Sequence, residues 1–215
     1  MKIGVLGTGM VGPTIGTKLV ELGHEVMMGS RSKDNEKAAA WAKSAGPKAS
    51  HGTFADAARF GEVLFNCTNG MASLNALKLA GAENMKGKIL VDIANPLDAS
   101  KGMPPTLSVS NTDSLGEQIQ RAFPDTKVVK TLNTMNCRIM VNPSLVRGDH
   151  DVFVSGNDRT AKERVKDILM NWFGWKSVVD LGDITTARGA EQLLPLWVRL
   201  MGMFGTPNFN FKIVK

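Results

Sequence analysis

The hexapeptide Gly7-Thr8-Gly9-Met10-Val11-Gly12 follows an apolar run, Ile3-Gly4-Val5-Leu6, and opens a helical spacing of Val11, Ile15, Leu19 and Leu22. A glycine triplet alone is a weak signal, but between a buried strand and a helix it is a dinucleotide-binding fingerprint. Gly7 permits the tight turn, and Gly9 lets the backbone approach a pyrophosphate. Gly12, backed by Gly16, lets helix and sheet pack closely while the free N–H groups of the first turn face the anion. Met10 and Val11 complete this cofactor-binding loop.

The choice of nucleotide is made about twenty residues on, where an acid in the second strand's exit would select NAD(H). Here the strand Glu25 to Met28 runs into Gly29-Ser30-Arg31-Ser32-Lys33. A small hydroxyl followed by a guanidinium fork suits a phosphate dianion, which a carboxylate would repel. The segment predicts NADP(H), with Ser30 and Arg31 on the 2′-phosphate and Lys33 as an added cation.

Downstream, strands alternate with helices in the rhythm of an α/β, Rossmann-type, doubly wound parallel sheet. Helix 35–45, strand 48–52 and helix 53–60 follow, the last with Thr53 and Asp56 at capping-box spacing. Strand 63–67, helix 72–79 and strand 89–93 come next. A long Gly- and Pro-containing loop covers 97–112, and Ser114 and Glu117 cap a helix ending near Pro124. Strands at 127–132, 151–155 and 177–181 complete the sheet, with a helix from Asp158 to Trp172 between the last two. We expect an NADP-binding domain over 1–150 and a small C-terminal helical cap and dimerisation segment over 151–215. From Ala187 to Phe204 the apolar residues surround the helix on all sides, Pro195 should kink it, and Phe209 to Ile213 alternate like a strand. Surface of that kind points to burial against a second subunit, hence a homodimer.

Composition narrows the function further. The chain has 215 residues, 43% of them hydrophobic, enough for a full core. No long apolar segment or basic-then-apolar leader is present, which predicts a cytoplasmic protein without a membrane partner. The net charge of +6 comes from scattered basic residues with no recognition motif, so nucleic acid is not expected as a partner. Cys67 and Cys137 have no metal-like spacing, and no metal site is expected. Tyr is absent, which excludes the Tyr/Lys proton relay of short-chain dehydrogenases, and His24, His51 and His150 all fall away from the strand ends where a nicotinamide lies. Too few residues remain for the large helical domain of hydroxyacid reductases. A flat acceptor that takes hydride directly and a proton from solvent fits these absences, as a flavin or deazaflavin does.

Over essentially its full length the chain resembles the NADPH-dependent reductases of the deazaflavin coenzyme F420. The resemblance rests on Lys2 to Gly9, on Gly23-His24-Glu25-Val26 leading to Gly29-Ser30-Arg31, on Val128-Val129-Lys130-Thr131-Leu132-Asn133-Thr134, and on the apolar terminal helix with its tail. It implies a Rossmann domain with a compact cap, a homodimer, and direct hydride transfer between NADPH and F420 as co-substrate. By matching positions, Thr8, Ser30 and Arg31 contact NADP. Thr68 and Asn69, with Cys67 beside them, and Asn95 and Pro96 line the nicotinamide side of the cleft. Asn133, Thr134, Met135, Asn136 and Cys137 line the acceptor pocket. Archaeal members carry a small apolar pair in that last loop, whereas this chain has Asn136-Cys137-Arg138, which adds polar bulk.

Alternatives remain open at this stage: an NADPH-dependent reductase of another acceptor, such as a flavin, a quinone or a ferric chelate, or a non-catalytic NADPH-sensing module. Either catalytic reading works by positioning and names no acid or base in the chain. Single replacement of His24, His51 or His150 by Gln is therefore expected to leave steady-state turnover within about tenfold, below the roughly 10²-fold of a general acid or base. A hundredfold loss with an unchanged circular dichroism spectrum would expose a missed catalytic histidine.

Overall fold

The computed structural model describes residues 1–215. Its strands are β1 (Lys2–Leu6), β2 (Glu25–Ser30), β3 (Ala49–Thr53), β4 (Val63–Asn66), β5 (Ile89–Asp92), β6 (Leu97–Asp98), β7 (Thr106–Leu107), β8 (Lys127–Thr131), β9 (Val152–Gly156) and β10 (Val178–Gly182). The helices are α1 (Val11–Glu21), α2 (Glu36–Ala45), α3 (Phe54–Phe60), α4 (Gly70–Ala80), α5 (Ala82–Met85), α6 (Leu115–Ala122), α7 (Cys137–Val141), α8 (Arg159–Asp167), α9 (Ala187–Gln192) and α10 (Leu194–Phe204).

Eight strands form one sheet in the order β10-β9-β8-β5-β4-β1-β2-β3, so the chain winds outward from β1 in one direction and from β4 in the other. The crevice at the carboxyl ends of β1 and β4 is the topological switch point of a doubly wound sheet. Alternate strand residues feed two cores, as a sheet covered on both faces requires. Ile3, Val5, Val63, Phe65 and Val129 join Ile15, Leu19, Trp41 and Val165 on one side. Leu6, Leu64, Leu90 and Val128 join Ala57, Leu77, Ile119 and Ala187 on the other.

Helix starts follow side-chain chemistry. Asn35 accepts from the Ala38 amide at 3.0 Å, and Asp158 accepts from the Ala161 amide at 2.7 Å. Thr53 and Asp56 form the expected reciprocal capping box. Ser114 caps α6 by accepting from the Glu117 amide at 3.1 Å, while the Glu117 carboxylate accepts from the Ser114 hydroxyl and from Arg188.

The structure corrects three expectations. β9 is antiparallel to β8, so the sheet is mixed, with β10 parallel to β9. The link from β8 to β9 contains only the five-residue α7 and a short 3-10 turn, and stays at one edge of the sheet. A parallel return would need a crossover. The division at residue 150 matches no edge in the fold, because β9 and β10 extend the same sheet. The terminal helix is interrupted at Leu193, which keeps helical dihedrals (φ −68°, ψ −19°): α9 ends at Gln192 and α10 begins at Leu194 with Pro195 in its first turn. Pro195 has no N–H for the preceding turn, so the ladder stops there. The loop 97–112 carries the small antiparallel pair β6/β7.

The tail after α10, whose alternation at Phe209 to Ile213 suggested a strand or arm, forms no strand and is instead fastened as an arm to the start of β9. The Asp151 amide donates to Phe211 O at 2.9 Å, and the buried Asp151 carboxylate accepts from the Ile213 amide at 2.6 Å, Ser177 Oγ at 2.5 Å and Lys212 Nζ at 3.2 Å. Burial acts to raise this carboxyl, but the three donors outweigh it and hold it below its ordinary 3.8. Because the ionised form is favoured in the folded state, the contribution is complete above pH 3.8 and fades as the pH falls through the depressed value. Asp151→Asn is expected to loosen the tail at neutral pH, read as faster carboxypeptidase trimming of residues 211–215. Equal trimming of variant and unmutated protein at pH 7 would refute the latch.

Candidate active site

The carboxyl ends of β1, β2 and β4 meet above the switch point. Gly7 lies at φ +119°, and a Cβ there would sit 2.6 Å from Cys67 O. A Cβ on Gly12 would sit 2.0 Å from Gly7 O, so the turn and the first helical turn can only be this close without side chains. α1 starts without a side-chain cap, since Met10 is already helical and makes no such bond. Its first amides are therefore free, and a helix in that condition attracts an anion.

Gly7, Thr8, Gly9, Arg31, Cys67, Thr68 and Asn69 line one cavity of about 530 Å³. Its far wall is Phe54 from α3 and Ala72, Asn75, Ala76 and Leu79 from α4, residues that sequence reasoning missed. Their signal was faint, because small and apolar residues such as Ala72, Ala76 and Leu79 on a helix have the spacing of ordinary packing. The cavity does not gather every residue expected there. Ser30 is buried and its hydroxyl donates to Ser32 O, so it faces its own turn. Ser32, exposed beside Arg31, accepts from the Asp34 amide at 3.2 Å. Lys33 lines a separate depression with His51, Asp56 and Arg59. Met10 and Val11 do not line the cavity: Met10 is 82% exposed and Val11 half-buried at the start of α1. Arg31 forms no ion pair with any carboxylate of the chain.

Beyond this cavity the ends of β5 and β8 are stitched together. Asn95 Nδ2 donates to Asn133 O at 2.8 Å, and Asn133 Nδ2 donates to Asn95 Oδ1 at 2.9 Å and to Ala190 O at 3.2 Å. Leu132, between Thr131 and Asn133, has φ +61°, a strained value for a branched residue. Asn133, Thr134, Met135 and Pro96 are buried, so they shape the cleft from beneath. Asn136 and Cys137 are half-buried at its surface. Asn136 caps α7 through the Arg138 amide at 2.9 Å, and Thr14 Oγ1 donates to Cys137 Sγ at 3.6 Å, which seats α7 on α1. Burial pushes the Cys67 thiol up, so it behaves as a small apolar group.

Under the cleft lies an ionic cluster that the sequence did not announce. Lys130 Nζ, 1% exposed, is 2.8 Å from Asp92 Oδ2 and 2.8 Å from Glu191 Oε1, and donates to Ala94 O. Asp92 Oδ1 accepts from Asn66 Nδ2 at 2.7 Å, and Asn66 Oδ1 accepts from Thr68 Oγ1 at 2.7 Å. Glu191 accepts from the Leu115 and Gly116 amides at 2.8 and 3.0 Å, at the start of α6. Burial alone would lower the Lys130 ammonium, but Asp92 and Glu191 raise it and keep it charged. The only signal was a lysine inside the apolar run Val128-Val129-Lys130.

No histidine reaches the cleft. His24 stacks on Trp172 with ring centroids 4.3 Å apart, His51 sits on the edge strand β3, and His150 bonds Pro143 O and Asn210. No group of three His, Cys, Asp or Glu side chains is placed to hold a metal ion, and no helix is long and apolar enough to cross a membrane.

Residues 2–96, which hold the glycine turn, Arg31 and Asn95, match the family model described as NADP oxidoreductase, coenzyme F420-dependent. The F420-dependent NADP reductase of Methanocaldococcus jannaschii is 31% identical over 211 residues, 93% of this chain and 92% of that protein. The metalloreductase STEAP3 of Rattus norvegicus is 30% identical over 91% of this chain but only 38% of its own length. A crystal structure of a protein assigned as an F420-dependent NADP-reductase from Arthrobacter sp. FB24 is 56% identical, with a TM-score of 0.95 over 100% of both chains. With a mixed Rossmann sheet, an uncapped α1 behind the glycine turn and relatives of this identity across its length, the chain belongs to the F420-dependent NADP reductase family and is an NADP-dependent oxidoreductase.

Proposed function

We propose that the protein transfers hydride between NADPH and the deazaflavin F420, with the dinucleotide along the Gly7–Gly12 turn and the acceptor against the Asn133–Cys137 loop. The observation that carries this reading is the division of the cleft. One end offers free helix amides and an unpaired guanidinium, and the other presents the amide and hydroxyl side chains Asn95, Asn133, Thr134 and Asn136, with no histidine or carboxylate among them. The residues present suit the dinucleotide, because nothing lies within 4 Å of where a Gly9 Cβ would stand, leaving the backbone open to a pyrophosphate. Arg31, with Ser32 beside it, supports a 2′-phosphate in fork geometry. Ser30 contributes by holding the turn, and Lys33 acts at longer range through its charge. NADPH supplies the hydride when bound. The chain contributes placement: Thr68 and Asn95 on the donor side, Asn136 and Cys137 on the acceptor side, and buried Asn133 and Pro96 fixing their spacing.

A second reading, reduction of a ferric chelate or a flavin, draws support from the likeness to a metalloreductase over 91% of this chain. Oxidation of NADPH followed at its nicotinamide absorbance, with F420, FMN, a quinone and ferric citrate added in turn, separates the two. Turnover fastest with F420 is expected, and turnover confined to the ferric chelate would replace the first reading by the second. Arg31→Ala is expected to weaken NADPH about 10- to 100-fold and leave NADH within about twofold, the loss expected of a charge-assisted phosphate contact. Calorimetry showing the unmutated protein to bind NADH as tightly as NADPH would overturn the assignment of the 2′-phosphate site.

The apolar surface of α10 supports a homodimer. Leu196, Met203 and Phe204 are 50, 69 and 52% exposed, and only Leu194 of the helix is buried. An apolar helix this bare is covered most simply by a second copy about a two-fold axis. Leu196→Glu is expected to give monomers or aggregates in light scattering, because it places an unpaired charge in that interface. A monomer mass for the unmutated protein at micromolar concentration would sink the dimer.

A further inference from the structure

We propose that Lys130 is the positioning residue of the cleft: one buried ammonium sets the donor wall, the acceptor wall and the terminal helical segment in a single register. This rests on the reading above, in which the nicotinamide and the acceptor meet between Thr68, Asn95 and Asn136. Lys130 touches neither partner, being 1% exposed beneath them. Three routes lead from it to the walls. Through Asp92 Oδ2 at 2.8 Å and Asn66 Nδ2 on Asp92 Oδ1 at 2.7 Å, it fixes Thr68 at the end of β4. Through Ala94 O it holds the chain just before Asn95. Through Glu191 at 2.8 Å it holds α9, whose Ala190 O receives Asn133 from the acceptor loop.

The three elements share no sequence neighbourhood, and the ammonium is where they meet. A point charge with three donors can serve three acceptors at once, which an apolar side chain of the same length cannot. Glu191 also accepts two amides at the α6 terminus, so α6 is locked to the same point. The groups facing Lys130 are thus two carboxylates and one carbonyl, and removal of its charge leaves both carboxylates buried against each other.

The test uses the full chain with NADPH. Lys130→Met is compared with Lys130→Met/Glu191→Gln, which keeps the cluster's net charge at that of the unmutated protein, one negative. The glycine turn and Arg31 are untouched, so calorimetry is expected to give NADPH affinity within about threefold for both. Bound NADPH is expected to lose nicotinamide fluorescence anisotropy in both, and kcat with the best acceptor is expected to fall about 100-fold, the effect of a misplacement near 1 Å. The double variant is expected to recover thermal stability without recovering anisotropy or kcat. Recovery of all three together would show that Lys130 only balances charge and would overturn the proposal. If Lys130→Met fails to fold, the double variant and Glu191→Gln alone carry the comparison. Glu191→Gln keeps the Lys130–Asp92 pair and is expected to raise acceptor KM while donor anisotropy holds, and unchanged acceptor kinetics would count against the link to α9. Should no acceptor be reduced by the unmutated protein, the function proposed above falls, while nicotinamide anisotropy still decides the role of Lys130.

Discussion

A charged ammonium at the bottom of the cleft is the constraint that the surrounding geometry has to satisfy. Lys130 lies in β8, on a sheet covered by helices on both faces, where an unpaired ion would cost several kcal/mol in lost hydration. It is tolerated because Asp92 and Glu191 approach to 2.8 Å and Ala94 O accepts a further bond. Removing one member of such a buried set costs about 3–5 kcal/mol, since the remaining charges are left without compensation. The cluster alone carries one net negative charge. The Leu115 and Gly116 amides turn the positive end of α6 onto Glu191 and offset it. In this way β4, β5, β8, α6 and α9 are held together by directional contacts, where an apolar contact would leave them free to slide.

The two ends of the cleft are built by different means. The glycine-turn end is local: a strand, a glycine turn and an uncapped helix within the first twenty-one residues, closed by the Gly12 to Gly7 approach that a Cβ would prevent. The end at the Asn133–Cys137 loop is non-local. It needs β9 to turn back antiparallel, so that α7 and the following loop stay over the carboxyl edge, and it needs α9 to reach across to Asn133. Past Pro195, α10 packs Trp197 on Phe209 of the tail and leaves Leu196, Met203 and Phe204 exposed.

That difference explains what could be read from the residues alone. Local chemistry was legible: the fingerprint turn, the Thr53–Asp56 box, the helix opening at Asp158, and the eight main-sheet strands within a residue or two of their observed limits, though not the short β6/β7 pair or the strandless tail. Strand direction was not, because the buried run Val152-Phe153-Val154 has the same pattern whichever way it points. Side-chain direction at turns was also hidden. Ser30 and Lys33 flank Arg31 in sequence, yet one folds back on Ser32 O and the other faces the depression near His51. The boundary expected at residue 150 falls between β8 and β9, which are neighbours in one sheet.

Leu132 shows how the two constructions are joined. A branched side chain at φ +61° costs roughly 1–3 kcal/mol, and such strain persists only where the surroundings over-determine it. Here they do so from both sides of the residue. Thr131 Oγ1 donates to Phe153 O at 2.7 Å on β9, and two residues on Asn133 is gripped by Asn95 and Ala190. A glycine would relieve the conformation but would give up the Leu132 side chain, which is 1% exposed within the core beside Met135 and Ile139. The strained turn thus exchanges backbone comfort for a packed base under the Asn133–Cys137 loop.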